Sequence, residues 1–210
     1  FKVLHACSDV EVLQVNSLTD NMTLAHLLKY DSNYPGHDWY ESIVADEDGL
    51  VVDGKKVHVF AEKDPAKLPW GVHNIDVVIE STGFFVDPAL AKANVEGGGA
   101  KKVIISAPAK GEGSTTIVLG VNDDDIKATG DVVNNGSCTT NCVSPVAAVI
   151  QSAFGIEKAM MTTVHSYTAD QNLQDGPHKD LRRARAAAKN IVPTSSGAGI
   201  AVSEVIPELK

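Results

Sequence analysis

IDVVIESTGFFVDPALAKANVEGGGAKKVIISAP, residues 75–108, sets two apolar runs on either side of a helical pattern. IDVVIES (75–81) reads as a buried strand that ends at Thr82-Gly83. DPALAKANVEGGG (87–99) reads as a helix, with Pro88 suited to its first turn and glycines past its end. KKVIISAP (101–108) is a second strand. The same alternation extends in both directions. VEVLQVNSL (10–18) reads as a buried strand, and Met22, Leu24, Ala25, Leu27 and Leu28 form the stripe of a helix that Thr19 or Asp20 would cap. LVVDGKKVHVF (50–60) is a hairpin about Asp53-Gly54. TTIVLGV (115–121) is a further strand, and DVVNNGS (131–137) a short strand running into a turn. Strand, helix, strand in this order predicts an α/β fold, a largely parallel sheet with helices on both faces. Such sheets bind ligands at the carboxyl ends of their strands, where NSLTD, STGFF and SAPAK fall. NNG breaks the pattern near Ser137, which places a boundary between 1–137 and 138–210.

The chain has 210 residues, 43% of them hydrophobic, which gives it core enough to fold without staples. Its net charge of −9 argues against nucleic acid or an anionic membrane as partner. Three cysteines are too few and too odd for a secreted disulfide scaffold, so a reducing cytoplasm is expected. No apolar run nears the ~18–20 residues of a membrane span, and no signal segment opens the chain. It opens without Met on FKVLHACSDVEV, which reads as the end of a helix already under way, so a fragment is expected.

Cys138 and Cys142 stand four apart in NNGSCTTNCVSP (134–145). Zinc would need two more ligands, and no C-x2-C or H-x3-H partner occurs, so no metal site is expected. Cys142 is expected to be a small buried apolar residue. CTTNCVSPVAAVIQSAF (138–154) reads as a helix capped by Ser137, with an irregularity near Pro145. Cys138 then lies in its first turn, where the helix terminus favours a thiolate. Lowering a thiol from about 8.5 to about 6 raises its ionised share at pH 7 from ~3% to ~90%. IEKAMMTTVHSYT (156–168) reads as a strand that ends at His165. The helix would run about 25 Å out and the strand about 26 Å back, which puts Cys138 and His165 at one edge. A thiol with an imidazole beside it is a nucleophile with its base; a Cys/His hydrolase would use the same two residues.

SCTTNC (137–142), TTVHSYT (162–168), PHKDLRRARAAA (177–188), LAHLLKYDS (24–32), ESTGFF (80–85) and KKVIISAPAK (101–110) together resemble phosphorylating glyceraldehyde-3-phosphate dehydrogenase, in order along essentially the whole chain. The resemblance implies a Rossmann-type cofactor domain followed by part of an α+β catalytic domain. It implies that Cys138 attacks the aldehyde of glyceraldehyde 3-phosphate, that His165 holds the thiolate and takes the hydroxyl proton, that hydride passes to NAD, and that inorganic phosphate cleaves the resulting thioester. It assigns Ser137, Thr139, Thr168, Arg183, Ser196 and Gly197 to the two anions, and Ser17, Lys63, Ser81, Thr82, Gly83 and Ser106 to the cofactor. Arg182 and Arg185 are read as solvated or subunit-facing. A homotetramer is implied for the full-length protein, whose loop around 168–190 reaches a neighbouring subunit. A relative acting on erythrose 4-phosphate shares the layout; a purely binding or assembly module is the non-catalytic alternative.

The pattern breaks in two places. The GxGxxG phosphate loop is missing, since GEGSTT (111–116) lacks the third glycine and the following helix. The family also continues past PELK (207–210) to an arginine and an asparagine of its site, so these residues alone are expected not to turn over. The second break is Ser17, which occupies the place where NAD-using members carry an aspartate. Without that carboxylate a 2′-phosphate is no longer repelled, yet no arginine in NSLTDNMT welcomes one, so NAD with relaxed selectivity toward NADP is expected.

Overall fold

In the computed structural model, which describes residues 1–210, the elements in chain order are α1 (Lys2–His5), β1 (Gln14–Asn16), α2 (Asn21–Lys29), β2 (Val44–Ala45), β3 (Gly49–Val52), β4 (Lys55–Phe60), β5 (Val77–Glu80), α3 (Pro88–Ala91), α4 (Ala93–Glu96), β6 (Lys102–Ile105), β7 (Thr115–Thr116), β8 (Val132–Asn134), α5 (Cys138–Phe154) and α6 (Ala198–Val205). They form two compact units, one of 1–114 with 129–133 and one of 115–128 with 134–210.

The first unit holds a mixed sheet in the order β1-β4-β3-β2. In it β1 runs parallel to β4, with Gln14 opposite His58, while β3 pairs antiparallel with β4 and with β2. Asp53 and Gly54 both take positive φ (52° and 74°), the requirement of a type I′ turn, and so close the β3–β4 hairpin. In a second sheet β5 and β6 are parallel, Val77 opposite Lys102 and Glu80 opposite Ile105. The Val103 N–H donates to the Asp131 carbonyl at 2.8 Å, which lays the start of β8 along β6. Ala91, Val103, Ile105 and Val132 are buried together as one core; Ile43, Leu50, Val52 and Val57, with Ala25 of α2, form another. The fold is thus α/β with the expected parallel strand pairs and helical crossovers.

Local chemistry explains most element ends. Asp20 caps α2 by accepting from the Thr23 N–H (2.9 Å). The helix expected over 87–99 is broken into α3 and α4. Asn94, 1% exposed, donates its amide to the Ala91 carbonyl (3.1 Å) and accepts from Trp70 Nε1 (2.9 Å), while the Val95 N–H turns to Lys92 instead. The strand expected over 10–18 shortens to β1, which is half-buried rather than buried. In the second unit the strand expected over 115–121 shortens to β7, because the Asn122 side chain takes both the Val118 N–H and the Thr116 carbonyl at 2.9 Å. β7 ends beside β8, where the Ile117 N–H donates to the Asn134 carbonyl at 2.8 Å.

Two expectations for the second unit are corrected. Residues 156–168 form no strand: no other segment pairs with them, and Met160 and Val164 are fully exposed. Cys142 is exposed rather than buried, since its side of α5, with Val146 and Val149, is covered by no other element.

Candidate active site

The site starts with the first turn of α5. Ser137 is its N-cap: its Oγ accepts from the Thr140 N–H at 3.0 Å and lies 2.8 Å from the Thr140 hydroxyl. Thr140 itself is fully buried and anchors the turn. Cys138 and Thr139 follow as the first helical residues, with Cys138 exposed. The chain returns after the helix so that Cys138 Sγ lies 3.1 Å from His165 Nε2. His165 Nδ1 lies 2.6 Å from the Ser166 carbonyl, which can only accept. Nδ1 therefore carries a hydrogen, and Nε2 is the nitrogen that faces the sulfur and exchanges a proton with it.

The thiol and imidazole polarise one another. His165 holds the Cys138 thiol below its ordinary value, aided by the N–H and hydroxyl of Thr139 and opposed by partial burial. The Ser166 carbonyl, then the Cys138 sulfur, raise the His165 imidazole. Opposite shifts of this kind favour a thiolate–imidazolium pair.

Arg183 is half-buried and faces three groups. Nη1 donates to Asp170 Oδ2 at 2.9 Å, Nη2 to the Ser195 carbonyl at 3.3 Å, and Nε lies 3.8 Å from Asp180. Asp170 also faces His178 Nε2 at 3.3 Å, and Arg183 and then His178 keep its carboxyl below the usual range. Nothing in the sequence singled out Asp170 or His178, because residues that meet across an irregular loop leave no periodic signal. Thr168 is exposed, and its N–H donates to Gln171 Oε1 at 2.7 Å. Ser196 and Gly197 lie exposed at the start of α6, where the Ser196 Oγ accepts from the Ala198 N–H at 3.2 Å. Arg182 and Arg185 are exposed and paired locally with Asp180 and Asp175.

The residues read as cofactor ligands lie at strand ends of the first unit. Ser17 follows β1; its N–H donates to the Phe60 carbonyl at 2.8 Å, and its Oγ accepts from the Thr19 N–H at 3.2 Å. The Asn16 amide clamps the Glu62 backbone at 2.9 Å in both directions, which fixes the loop bearing the exposed Lys63 beside the end of β1. Ser81, Thr82 and Gly83 follow β5, and Ser106 follows β6, its N–H donating to the Glu80 carbonyl at 3.0 Å. Glu80, 7% exposed, accepts from both the N–H (2.8 Å) and hydroxyl (2.5 Å) of Thr82 and so shapes this turn. Exposed hydroxyls and open space around Gly83 suit a polar ligand laid along these strand ends. No group of three or more His, Cys, Asp or Glu side chains is placed to hold a metal, and no helix is long and apolar enough to cross a membrane.

Residues 1–88 match the family described as glyceraldehyde 3-phosphate dehydrogenase, NAD binding domain, and residues 137–210 its C-terminal domain. Glyceraldehyde-3-phosphate dehydrogenase of Mycolicibacterium smegmatis is 55% identical over 203 residues, 97% of this chain and 59% of the relative. Glyceraldehyde-3-phosphate dehydrogenase 1 of Bacillus subtilis is 58% identical over 203 residues, 96% and 59% respectively. The Mycobacterium leprae protein of the same name is 53% identical over 207 residues, 98% and 60%. The chain thus spans about three fifths of the length of the curated relatives it matches. With both domain descriptions matched in order and more than half the residues shared, the chain belongs to the glyceraldehyde 3-phosphate dehydrogenase family.

Proposed function

We propose that this chain carries the nucleophile of a cytoplasmic, NAD-dependent, phosphorylating aldehyde dehydrogenase that acts on glyceraldehyde 3-phosphate. The observation that carries the reading is the Cys138–His165 pair at 3.1 Å on a helix N-terminus. The Cys138 thiolate adds to the aldehyde carbon, forming a C–S bond as the carbonyl π pair moves to oxygen, and the His165 imidazolium gives that oxygen its proton. His165 then takes the hydroxyl proton back while the carbon is oxidised, leaving a thioester on Cys138. A phosphate oxygen attacks the thioester carbonyl, the C–S bond breaks, and the thiolate is regenerated with an acyl phosphate as product. A thioester conserves the oxidation energy that attack by water would dissipate.

Ser137, Thr139, Thr168, Arg183, Ser196 and Gly197 are assigned to the two anions; hydroxyls, exposed at Thr168 and Ser196 and half-buried at Ser137 and Thr139, with backbone N–H groups and a guanidinium, suit that task. Bound NAD supplies the hydride acceptor, and Ser17, Lys63, Ser81, Thr82, Gly83 and Ser106 are assigned to hold it. The Ser17 Oγ is already an acceptor within its own turn, so its hydrogen remains for a ribose oxygen. It bears no charge to exclude a 2′-phosphate, which supports NAD as main cofactor with relaxed selectivity. We divide these roles at Ser137, with 1–137 for cofactor and 138–210 for chemistry. Three free cysteines suit a reducing compartment, and the exposed Leu173, Leu181 and Ile191 suit a subunit contact in a homotetramer.

Iodoacetamide labelling tests the site. Cys138 is expected to alkylate ahead of Cys7 and Cys142, with inorganic phosphate and glyceraldehyde 3-phosphate each slowing it; equal reactivity of the three, untouched by either compound, overturns the reading. In the complete protein, kcat/KM with NAD is expected to exceed that with NADP, and the reverse order overturns the cofactor assignment.

A further inference from the structure

We propose that Asn141 is a positioning residue for Cys138: its side-chain amide bridges the Asn135 and Ser137 carbonyls and thereby fixes how the first turn of α5 presents the sulfur. The inference rests on the nucleophile reading above and assigns a further residue to the same site.

Asn141 Nδ2 donates to the Asn135 carbonyl at 2.6 Å and to the Ser137 carbonyl at 2.9 Å. The backbone N–H of Asn141 donates to that same Ser137 carbonyl at 2.9 Å. The two acceptors flank Gly136, in the turn that delivers the chain from β8 into the helix. Other amides close the rest of this turn: the Gly136 N–H donates to Asn134 Oδ1 at 3.0 Å, and Asn135 Nδ2 to the Ile117 carbonyl at 3.0 Å. Asn141 is the member of this set that lies inside the helix, one turn beyond Cys138, so it ties the turn to the helix itself.

Two physical consequences follow for the sulfur. The Ser137 carbonyl belongs to the peptide unit that enters Cys138, so holding it fixes the backbone from which the side chain projects. The Thr139 N–H, one of the groups that favour the thiolate, lies in the next peptide unit and is oriented with it. Without the side chain the Ser137 carbonyl keeps only the Asn141 backbone N–H and the Asn135 carbonyl loses its tie to the helix, so the turn that presents the sulfur and the Thr139 N–H is held less firmly in the orientation that favours ionisation. Asn suits the task because its amide supplies two hydrogens. An isosteric carboxylate would face both carbonyl oxygens without a donor and would add negative charge one turn from the sulfur.

The test uses the 210-residue chain with Cys7→Ser and Cys142→Ser, so that only Cys138 alkylates. The iodoacetamide rate is followed between about pH 5 and 10, and circular dichroism checks that helix is retained. Asn141→Ala is expected to raise the alkylation midpoint by about one pH unit, which lowers the rate about tenfold at pH values below the parent midpoint, and Asn141→Asp is expected to raise it further. If Asn141→Ala loses its helix signal, Asn141→Asp, equal in size, carries the test. A depressed midpoint that neither folded variant moves overturns the role of Asn141 and leaves the thiolate reading standing. An ordinary midpoint in the parent chain overturns the thiolate reading and this inference with it. Unfolding of both variants makes Asn141 a residue of the fold alone and likewise overturns the proposal.

Discussion

The charge on the Cys138 sulfur follows from neighbours of unequal weight. His165 contributes most, the Thr139 N–H and hydroxyl add to it, and partial burial works against both. Because the thiol is depressed and the imidazole raised, each shift moves the pair toward thiolate and imidazolium. Alkylation of Cys138 should therefore begin at a lower pH than that of an ordinary exposed thiol. His165→Asn removes the largest contribution. We expect it to move the profile upward and to cut the rate at pH 7 about tenfold, as read by mass spectrometry of the labelled chain. Superimposable profiles for parent and variant would remove His165 from the mechanism. The meeting of these two residues was legible in the sequence only as a neighbourhood: the cap at Ser137 put Cys138 at the helix start, but the return over 156–168 is an unpaired segment and not the strand on which the match of lengths rested. The exposure of Cys142 was not legible, since a place along a helix does not tell which of its sides another element covers. Asp170 was equally hidden: its tie to Arg183 spans 13 residues of irregular loop.

At the scale of elements, the β3–β4 hairpin separates two uses of glycine. Gly54, at φ +74°, turns the chain, and nothing lies within 4 Å of where its Cβ would be. Gly49, at φ +156°, sits opposite His58 in the ladder, and a Cβ there would fall 2.2 Å from the Val57 carbonyl oxygen and 2.8 Å from the Val59 nitrogen. Both obstacles are backbone, so the strands themselves must shift. Gly54→Ala should cost about 1 kcal/mol, the ordinary strain of a side chain in the left-handed region. Gly49→Ala should cost more, about 3 kcal/mol, and should lower the urea midpoint correspondingly; equal midpoints for the two variants would mean that the ladder is looser than its register implies. Asp53-Gly54 announced its turn in the sequence because turn chemistry is local. Gly49 did not, because its constraint comes from a neighbouring strand and exists only once the register is set. The break between α3 and α4 has the same origin: Asn94 answers to Trp70, which is remote in sequence.

At the scale of the molecule, buried apolar side chains and exposed ones are unevenly shared between segments. Ile105, Val52, Val57 and Val103 of the first unit are among the largest fully buried side chains, and all four lie on strands with laddered hydrogen bonds. Residues 156–168 of the second unit have neither property. They were expected as a strand on their apolar content, but apolar content specifies only a tendency, and a strand exists only where a second backbone accepts its hydrogen bonds. Local opening scales with missing contacts and exposed amides, so protection should follow this division. We expect amide exchange to be slowest at Val57, Val103 and Ile105, and fast from Met160 to Val164, as measured residue by residue on the 210-residue chain. Protection at Met160 to Val164 that grows with protein concentration would show a second copy supplying the absent ladder. Protection there that is independent of concentration would show a pairing within the chain, and would overturn the description of this segment as unpaired. The placement of His165 makes the result bear on chemistry as well as fold. The imidazole that faces Cys138 lies at the end of the least supported stretch of the second unit, so its 3.1 Å contact is held by the Ser166 carbonyl and the thiol itself rather than by a surrounding sheet.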